Sequence, residues 1–260
     1  MLTYLTNIWK CRYFWMSLVR MDLRTRYRRS LLGLGWSLLQ PLAMTTVLCI
    51  AFQHFVQVKA QDYVTHLLTG MVVWNFILNS ALQGCQCFFQ GEAYIRQCPL
   101  PLAIYPLRTA IGAAFHFLMG LAVMAAVCAA LRGVPSVEAI FSLIPTLLML
   151  FAFGWSLAVL GGTANVYFND TQHLAEVLFQ ILFYLTPIIY RIEDLGRHRL
   201  GAVLQWSPVV AFLNLVREPL LHLRPPTPGQ FAYAALVVAV TAGLAAWLLS
   251  RLQKRLIFHL

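Results

Sequence analysis

Long uncharged runs, separated by short charged or proline-rich stretches, set the pattern of this chain. The runs are Leu31–Val58, Tyr63–Gly91, Thr109–Leu131, Ala139–Asn169, Val177–Tyr190 and Phe231–Ser250. About 20 apolar residues suffice for a helix to cross the hydrocarbon of a bilayer, so six spans are expected. The fifth run is short and extends back towards Thr171 with His173 and Glu176 at the interface. A further run, Leu200–Val216, is borderline in length and interrupted by Pro208, so it reads as re-entrant or interfacial. The predicted fold is an all-α polytopic membrane protein forming a single domain. A cytoplasmic amphipathic interface helix covers 1–30, with spans over 31–57, 63–88, 107–131, 140–167, 172–190 and 230–250. A coupling segment occupies 89–104, an extracytoplasmic re-entrant loop 191–228, and a cytoplasmic tail 251–260.

Composition agrees. Of the 260 residues, 60% are hydrophobic and 11% charged, against roughly 25% charge in soluble domains. Uncharged runs of helical length exclude the weak alternation of a β-barrel. The net charge of +10 sits at the ends of apolar runs, which fits anionic lipid headgroups and topology signals, not nucleic acid. Basic residues mark the cytoplasmic side. Lys10, Arg12, Arg20, Arg24, Arg26, Arg28 and Arg29 precede the first run, Arg96 and Arg108 lie between the second and third, and Arg251, Lys254 and Arg255 follow the last. Only Lys59 and Arg132 face them in the first and third loops, so both termini are expected in the cytoplasm and the protein in the plasma (bacterial inner) membrane. The arginine-rich loop from Arg191 to Arg224 is an exception to that rule. The six cysteines lie in spans or their flanks, and neither a disulfide framework nor a metal site is expected. A cleavable leader is not expected either, because the first apolar run starts near residue 31 without a small-residue cleavage site.

Three constellations stand out. Lys10, Arg20, Arg24 and Arg28 share one face of a helix, while Trp15, Met16, Val19, Leu23 and Tyr27 form a broad apolar stripe elsewhere on it. Such a helix either anchors on anionic lipid or lends some of its arginines to a substrate phosphate by paired hydrogen bonds. In the second run, Asn75, Asn79, Gln83, Gln86 and Gln90 recur at helical spacing. Amides both donate and accept, so this seam serves either a sugar-conducting wall or adhesion between helices. Weaker seams are Gln53 with Gln57, and Glu176 with Gln180 and Tyr184. Gly112, Gly120, Gly154, Ala158 and Gly162 permit close helix approach, and His116 reads as a packed core residue. The short connection Gly91–Pro101 is polar at its start and broken by Pro99 and Pro101, so a single helical turn there could plug into a soluble partner.

Absences matter equally. No carboxylate occurs in 23–61, 63–91, 93–137 or 139–169, whereas ion-coupled carriers use ionisable groups at membrane depth. The sequence carries no Walker glycine loop, so work against a gradient requires ATP hydrolysed by another chain. An enzymatic role, such as a membrane glycosyltransferase, lacks an acidic pair. A drug or small-hydrophobe exporter remains the alternative reading, with an ATP-independent carrier behind it.

The motifs run in a recognisable order: Asp22-Leu-Arg-Thr-Arg-Tyr-Arg-Arg-Ser-Leu-Leu-Gly33, Trp36-Ser-Leu-Leu-Gln-Pro41, Leu68-Thr-Gly70 with Trp74, Tyr167-Phe-Asn-Asp170, Thr186-Pro-Ile-Ile-Tyr190, and Ser207-Pro208 followed by Arg217. In these the chain resembles the permease subunits of ABC-2 type exporters of polysaccharide or polyol phosphate, the group of O-antigen, capsule and teichoic acid exporters. It departs at Gly35, Leu102, Asn169 and Ser207. The resemblance implies a homodimer of six-span permeases with two ATP-binding cassette subunits, which hold ATP and Mg; this chain itself needs no cofactor. It implies that a lipid-linked glycan enters near Arg24, Arg26, Arg28, Leu32 and Gly33. The glycan then passes along the dimer seam between first and fifth spans, by Gln53, Asn75, Asn79, Gln83, Gln180, Tyr184 and Tyr190. Coupling to the ATPase runs through Glu92, Tyr94, Arg96, Pro99 and Pro101.

Overall fold

The computed structural model describes residues 2–28, 30, 32–52, 59–97, 100–191 and 204–259, and among them every regular element is helical. α1 (Leu2–Lys10) and α2 (Arg12–Tyr27) form the N-terminal pair, followed by a 3-10 turn at Gly33–Gly35 and α3 (Trp36–Phe52). Then come α4 (Ala60–Cys85), the short α5 (Glu92–Gln97), α6 (Ile104–Arg132), α7 (Val137–Tyr167) and α8 (Thr171–Leu185). α9 (Pro208–Leu221) and α10 (Pro228–His259) complete the described elements.

Ile104–Arg132, Val137–Tyr167 and Pro228–Leu252 are long and apolar enough to cross a membrane. α8 has 15 residues, so at about 1.5 Å per residue it falls short of a hydrocarbon core roughly 30 Å thick; α3 has 17 described residues, and residues 53–58 after it lie outside the described ones. α4 has the length, at 26 residues, but it carries the amide seam together with Asp62 and His66. It compensates by burial: seventeen of its residues, from Tyr63 to Cys85, are enclosed by neighbouring helices.

Local chemistry explains the element ends, and several differ from the sequence expectation. The interface segment is two helices, not one, because the chain turns at Cys11 (φ −86°, ψ 14°). Trp15 Nε1 then donates to Ile8 O at 3.2 Å and holds the two together. On α2 the buried side chains are Trp15, Leu18 and Val19; Met16, expected on that stripe, is 39% exposed. α4 ends at Cys85, so Gln86 caps it and Gln90 lies in the following turn; these two leave the helical face expected of them. α8 stops at Thr186, whose ψ of 137° is the extended backbone that a following proline favours. Pro208 does not interrupt a helix but starts α9, at a position where its missing N–H costs nothing.

Two buried clusters organise the bundle. One joins Trp74, Phe76 and Ile77 of α4 to Phe117 of α6, Phe153 of α7 and Phe212 of α9. The other, at the end rich in basic residues, gathers Ile8, Trp15, Ile95, Tyr105, Leu249 and Leu256. Because Ile8 and Leu256 share that cluster, the N-terminal helices and the last turns of α10 lie at the same end. Between α4 and α7 the backbones nearly touch. A Cβ on Gly84 would stand 2.4 Å from Ala158 Cα, and one on Gly162 would stand 2.8 Å from Gly84 O. Small residues permit such approach in lipid, where tight packing replaces the hydrophobic drive. Gly154 and Ala158 belong to this contact as expected, whereas Gly112 has nothing within 4 Å of an added Cβ.

Candidate substrate-entry site and coupling surface

The interface pair is fixed to the bundle at three points, which determines where its arginines lie. Ile8 and Trp15 sit in the basic-end core. Asp22 accepts a bidentate pair from the Arg108 guanidinium, which is buried at the start of α6. Tyr27 and Ser37 converge on His116: the hydroxyls stand 2.6 Å apart, and each lies within 3.0 Å of the ring Nδ1. His116 is thus a packing residue, as expected, but one that ties α2 and α3 to α6. Between Tyr27 and Ser37 the chain reverses at Gly33, whose φ of 48° is the left-handed region that glycine enters without steric cost. Ser30 Oγ accepts from the Gly33 N–H at 3.1 Å.

This bracing leaves Arg24, Arg26 and Arg28 exposed, with Leu32 exposed beside the turn. Arg26 alone of the three lines a cavity of about 80 Å³ whose polar wall also carries Ser37, Gln40, Asn75, Asn79 and His116. The amides of α4 are ordered along the helix. Gln83 Nε2 donates to Asn79 Oδ1 at 2.9 Å, and Asn79 Nδ2 donates to Asn75 O at 2.7 Å. Gln86 donates to Gln172 of α8. Part of the seam, Asn75 and Asn79, therefore lines open space, and part, Gln86, joins helices.

α8 buries none of its residues. Phe179 and Phe183 turn inward onto Trp74, while Glu176, Gln180 and Tyr184 are exposed on another face. Tyr190 is half-buried and donates to Leu185 O at 2.6 Å. Gln53 and Pro99, named above for the glycan path and coupling, lie outside the described residues.

The expected helical turn in the second connection is α5. Its Ile95 is buried in the basic-end core, and Tyr94 stacks edge-on against Phe14 of α2 with ring centroids 5.6 Å apart. Glu92 and Arg96 pair at 2.8 Å on the outer face; an exposed pair of this kind contributes about 0.3–0.5 kcal/mol. Pro101 is half-buried, and its carbonyl accepts from Ile104 N at 3.1 Å at the start of α6. Tyr94 thus couples α5 to the interface pair and does not project outward.

At the opposite end, sequence motifs far apart in the chain meet. Arg217 of α9 donates to Pro187 O at 3.0 Å and His66 O at 3.3 Å, while His66 Nε2 lies 3.2 Å from Tyr190 O. A Cβ on Gly70 would stand 2.9 Å from Ile188 Cγ2 and 3.1 Å from Arg217 Nη2. Arg132 bonds Asp62 Oδ1 at 2.8 Å, Thr65 Oγ1 at 2.9 Å and Leu221 O at 3.0 Å. Two arginines of the loop side are thus consumed inside the fold. Glu218 accepts from Arg224 at 2.7 Å. Burial pushes its carboxyl up, but hydrogen bonds from Arg224 and Gln230 outweigh this and hold it below the ordinary carboxylate range. Sequence reasoning missed the Asp22–Arg108, Asp62–Arg132 and Tyr27–Ser37–His116 contacts.

These features define a polytopic helical membrane protein with a basic, partly cavity-lining interface helix and a short helix, α5, between α4 and α6. The chain belongs to the ABC-2 type transporter family, whose profile matches residues 13–221. It is similar to the O-antigen export system permease protein RfbA of Klebsiella pneumoniae, with 25% identity over 199 residues and 76% of each chain covered. It is likewise similar to the protein of that name from Myxococcus xanthus, with 22% identity over 242 residues, 92% of this chain and 93% of the relative.

Proposed function

We propose that this chain is the transmembrane permease subunit of an exporter that moves a lipid-linked polysaccharide across the plasma membrane. The observation that carries the reading is the similarity to O-antigen export permeases along 92% of the chain. In this reading α3, α4, α6, α7, α8 and α10 are six spans, and α9 belongs to a re-entrant element at the outer leaflet. Both termini face the cytoplasm, supported by the shared cluster of Ile8 and Leu256 and by the basic residues around it. Two copies pair, and each binds an ATP-binding cassette subunit through α5; ATP and Mg belong to those subunits. The exposed Gln180 and Tyr184 of α8 support pairing, because polar side chains at membrane depth require a partner or a water-filled path. The Gln53–Tyr190 set of polar and aromatic residues then borders the route of the glycan.

The test is deletion of the gene in its own cell. Surface polysaccharide should disappear while lipid-linked glycan accumulates inside, and expression of this chain should restore export. Unchanged surface polysaccharide in the deletion strain would contradict the reading.

A further inference from the structure

The corner where α7 turns into α8 carries a polar network that reaches the end of α4. Asn165, 2% exposed in the last turn of α7, uses both ends of its amide. Its Nδ2 donates to Cys85 O at 2.9 Å, and its Oδ1 accepts from the Gln172 N–H at 3.2 Å. Cys85 closes α4 and Gln172 lies in the first turn of α8, so these backbone groups have no partner within their own helices. An amide serves both at once, because it donates and accepts. A second link runs beside the first. The Gln86 side chain donates to Gln172 Oε1, and Gln172 Nε2 donates to Glu176 Oε1 at 3.0 Å.

Packing gives this network leverage. α8 buries none of its residues, and its inner face meets α4 through Phe179 and Phe183 on Trp74. Apolar contact of that kind is non-directional, whereas a hydrogen bond fixes distance and angle. The ends of α4 and α7, by contrast, are close-packed. A Cβ on Gly161 would stand 3.1 Å from Cys85 Sγ, and one on Gly162 would stand 2.7 Å from Cys87 Sγ. That contact fixes Asn165, so the α7–α8 corner is a pivot and Gln172 is the arm beside it. From Gln86 the chain leads into α5 through a hydrogen-bonded turn. Gln90 N donates to Gln86 O at 3.0 Å and Glu92 N to Phe89 O at 3.2 Å, and α5 starts at Glu92.

We infer that Asn165 and Gln172 are positioning residues that make α8 follow displacements of α5. Asn165 sets the pivot, and the Gln86–Gln172 bond passes on the movement. Use of that movement for export rests on the reading above; the link itself rests on the geometry. Work delivered at α5 then reaches the face that bears Gln180 and Tyr184 through polar side chains.

The experiment uses the full chain assembled with its ATP-binding subunit in nanodiscs, without glycan. An environment-sensitive fluorescent amino acid replaces one of two exposed residues, Gln97 at the end of α5 or Val177 on α8. In the parent, ATP should shift the emission at both. Gln86→Leu and Gln172→Leu should each reduce the shift at Val177 by about threefold or more, the effect of one lost hydrogen bond on a two-state equilibrium. The shift at Gln97 and the ATPase rate should stay near parental values, which a general loss of structure would not allow. The double variant should lose no more than either single one, because both remove the same bond. Asn165→Leu, of similar volume, should reduce the Val177 shift as well; if it fails to fold, the two half-buried glutamines decide the matter. Thr241→Val, which removes a hydroxyl bonded within α10, should match the parent. An unmoved Val177 in the parent, a parental Val177 shift in both glutamine variants, an equal loss at Gln97, or a further loss in the double variant overturns the inference. With glycan absent, such a failure leaves the export reading standing. Normal surface polysaccharide in the deletion strain would remove that reading without touching the probe result.

Discussion

Gly84→Val should abolish accumulation of the folded permease in the membrane. An added Cβ at this position meets Ala158 Cα at 2.4 Å, Ala158 Cβ at 2.9 Å and Ala158 O at 3.2 Å. Two of these atoms are backbone, so no rotamer change relieves the clash, and α4 must separate from α7. Separation also loosens the neighbouring contacts along the same line, where Gly154 lies against Phe76 and Ser80, and Gly162 against Gly84 itself. Overpacking a tight core costs typically 1–3 kcal/mol, and here a whole helix contact opens, so a loss above about 3 kcal/mol is expected. Gly112→Val provides the contrast, because nothing lies within 4 Å of a Cβ there. Membrane-fraction yield and thermal unfolding in detergent read both variants. A parental melting temperature for Gly84→Val would mean that the α4–α7 contact is not as described.

Arg217→Met should cost about 3 kcal/mol, the sum expected for two hydrogen bonds from a charged donor. The guanidinium is 7% exposed and bonds the Pro187 and His66 carbonyls. Its removal leaves both carbonyls without that donor and releases α9 from the Thr186–Tyr190 segment. A loss of this size lowers the melting temperature by roughly 5–10 °C in a chain of this length. Arg217→Lys should recover only part of it, since one ammonium cannot reproduce the planar fork that reaches two carbonyls. Full stability in the methionine variant would show that α9 is held by its apolar face alone.

The three membrane-length apolar helices, α6, α7 and most of α10, were legible in the sequence because charge is expensive in hydrocarbon, so long uncharged runs mark them. The short helix α5 was legible too: Gly91 and the prolines near 100 confine any helix between them to a few residues. Three features were not. The break at Cys11 has no sequence signal, since neither glycine nor proline marks it, and the chain turns there because Trp15 reaches back to Ile8. The Asp22–Arg108 pair joins residues 86 positions apart; each charge on its own reads only as a topology signal. Gly84 was overlooked beside the more regular Gly154, Ala158 and Gly162, because helical spacing identifies one face of a contact and not its partner. The motif blocks fared best. Gly70, Thr186–Tyr190 and Arg217 read in the sequence as separate supporting matches, and the fold brings them into one knot at the end of the bundle opposite the chain termini.

In the cavity, sequence supplied the residue types and structure supplied the selection. The helical wheel grouped Arg24 and Arg28 on one face with Lys10 and Arg20, and left Arg26 off that face. Only the fold, by fixing Tyr27 to His116 and turning the chain at Gly33, directs Arg26 towards Asn75 and Asn79.

The central claim is that this bundle conducts an amphiphilic glycan and draws its work from ATP hydrolysed elsewhere. The most direct measurement is transport into inverted proteoliposomes containing this chain with and without its cognate ATP-binding subunit, with a lipid-linked glycan supplied on the outer surface. Glycan should become protected from an added glycosidase only when both chains and ATP are present. Protection by this chain alone, without nucleotide and against a gradient, would contradict the account.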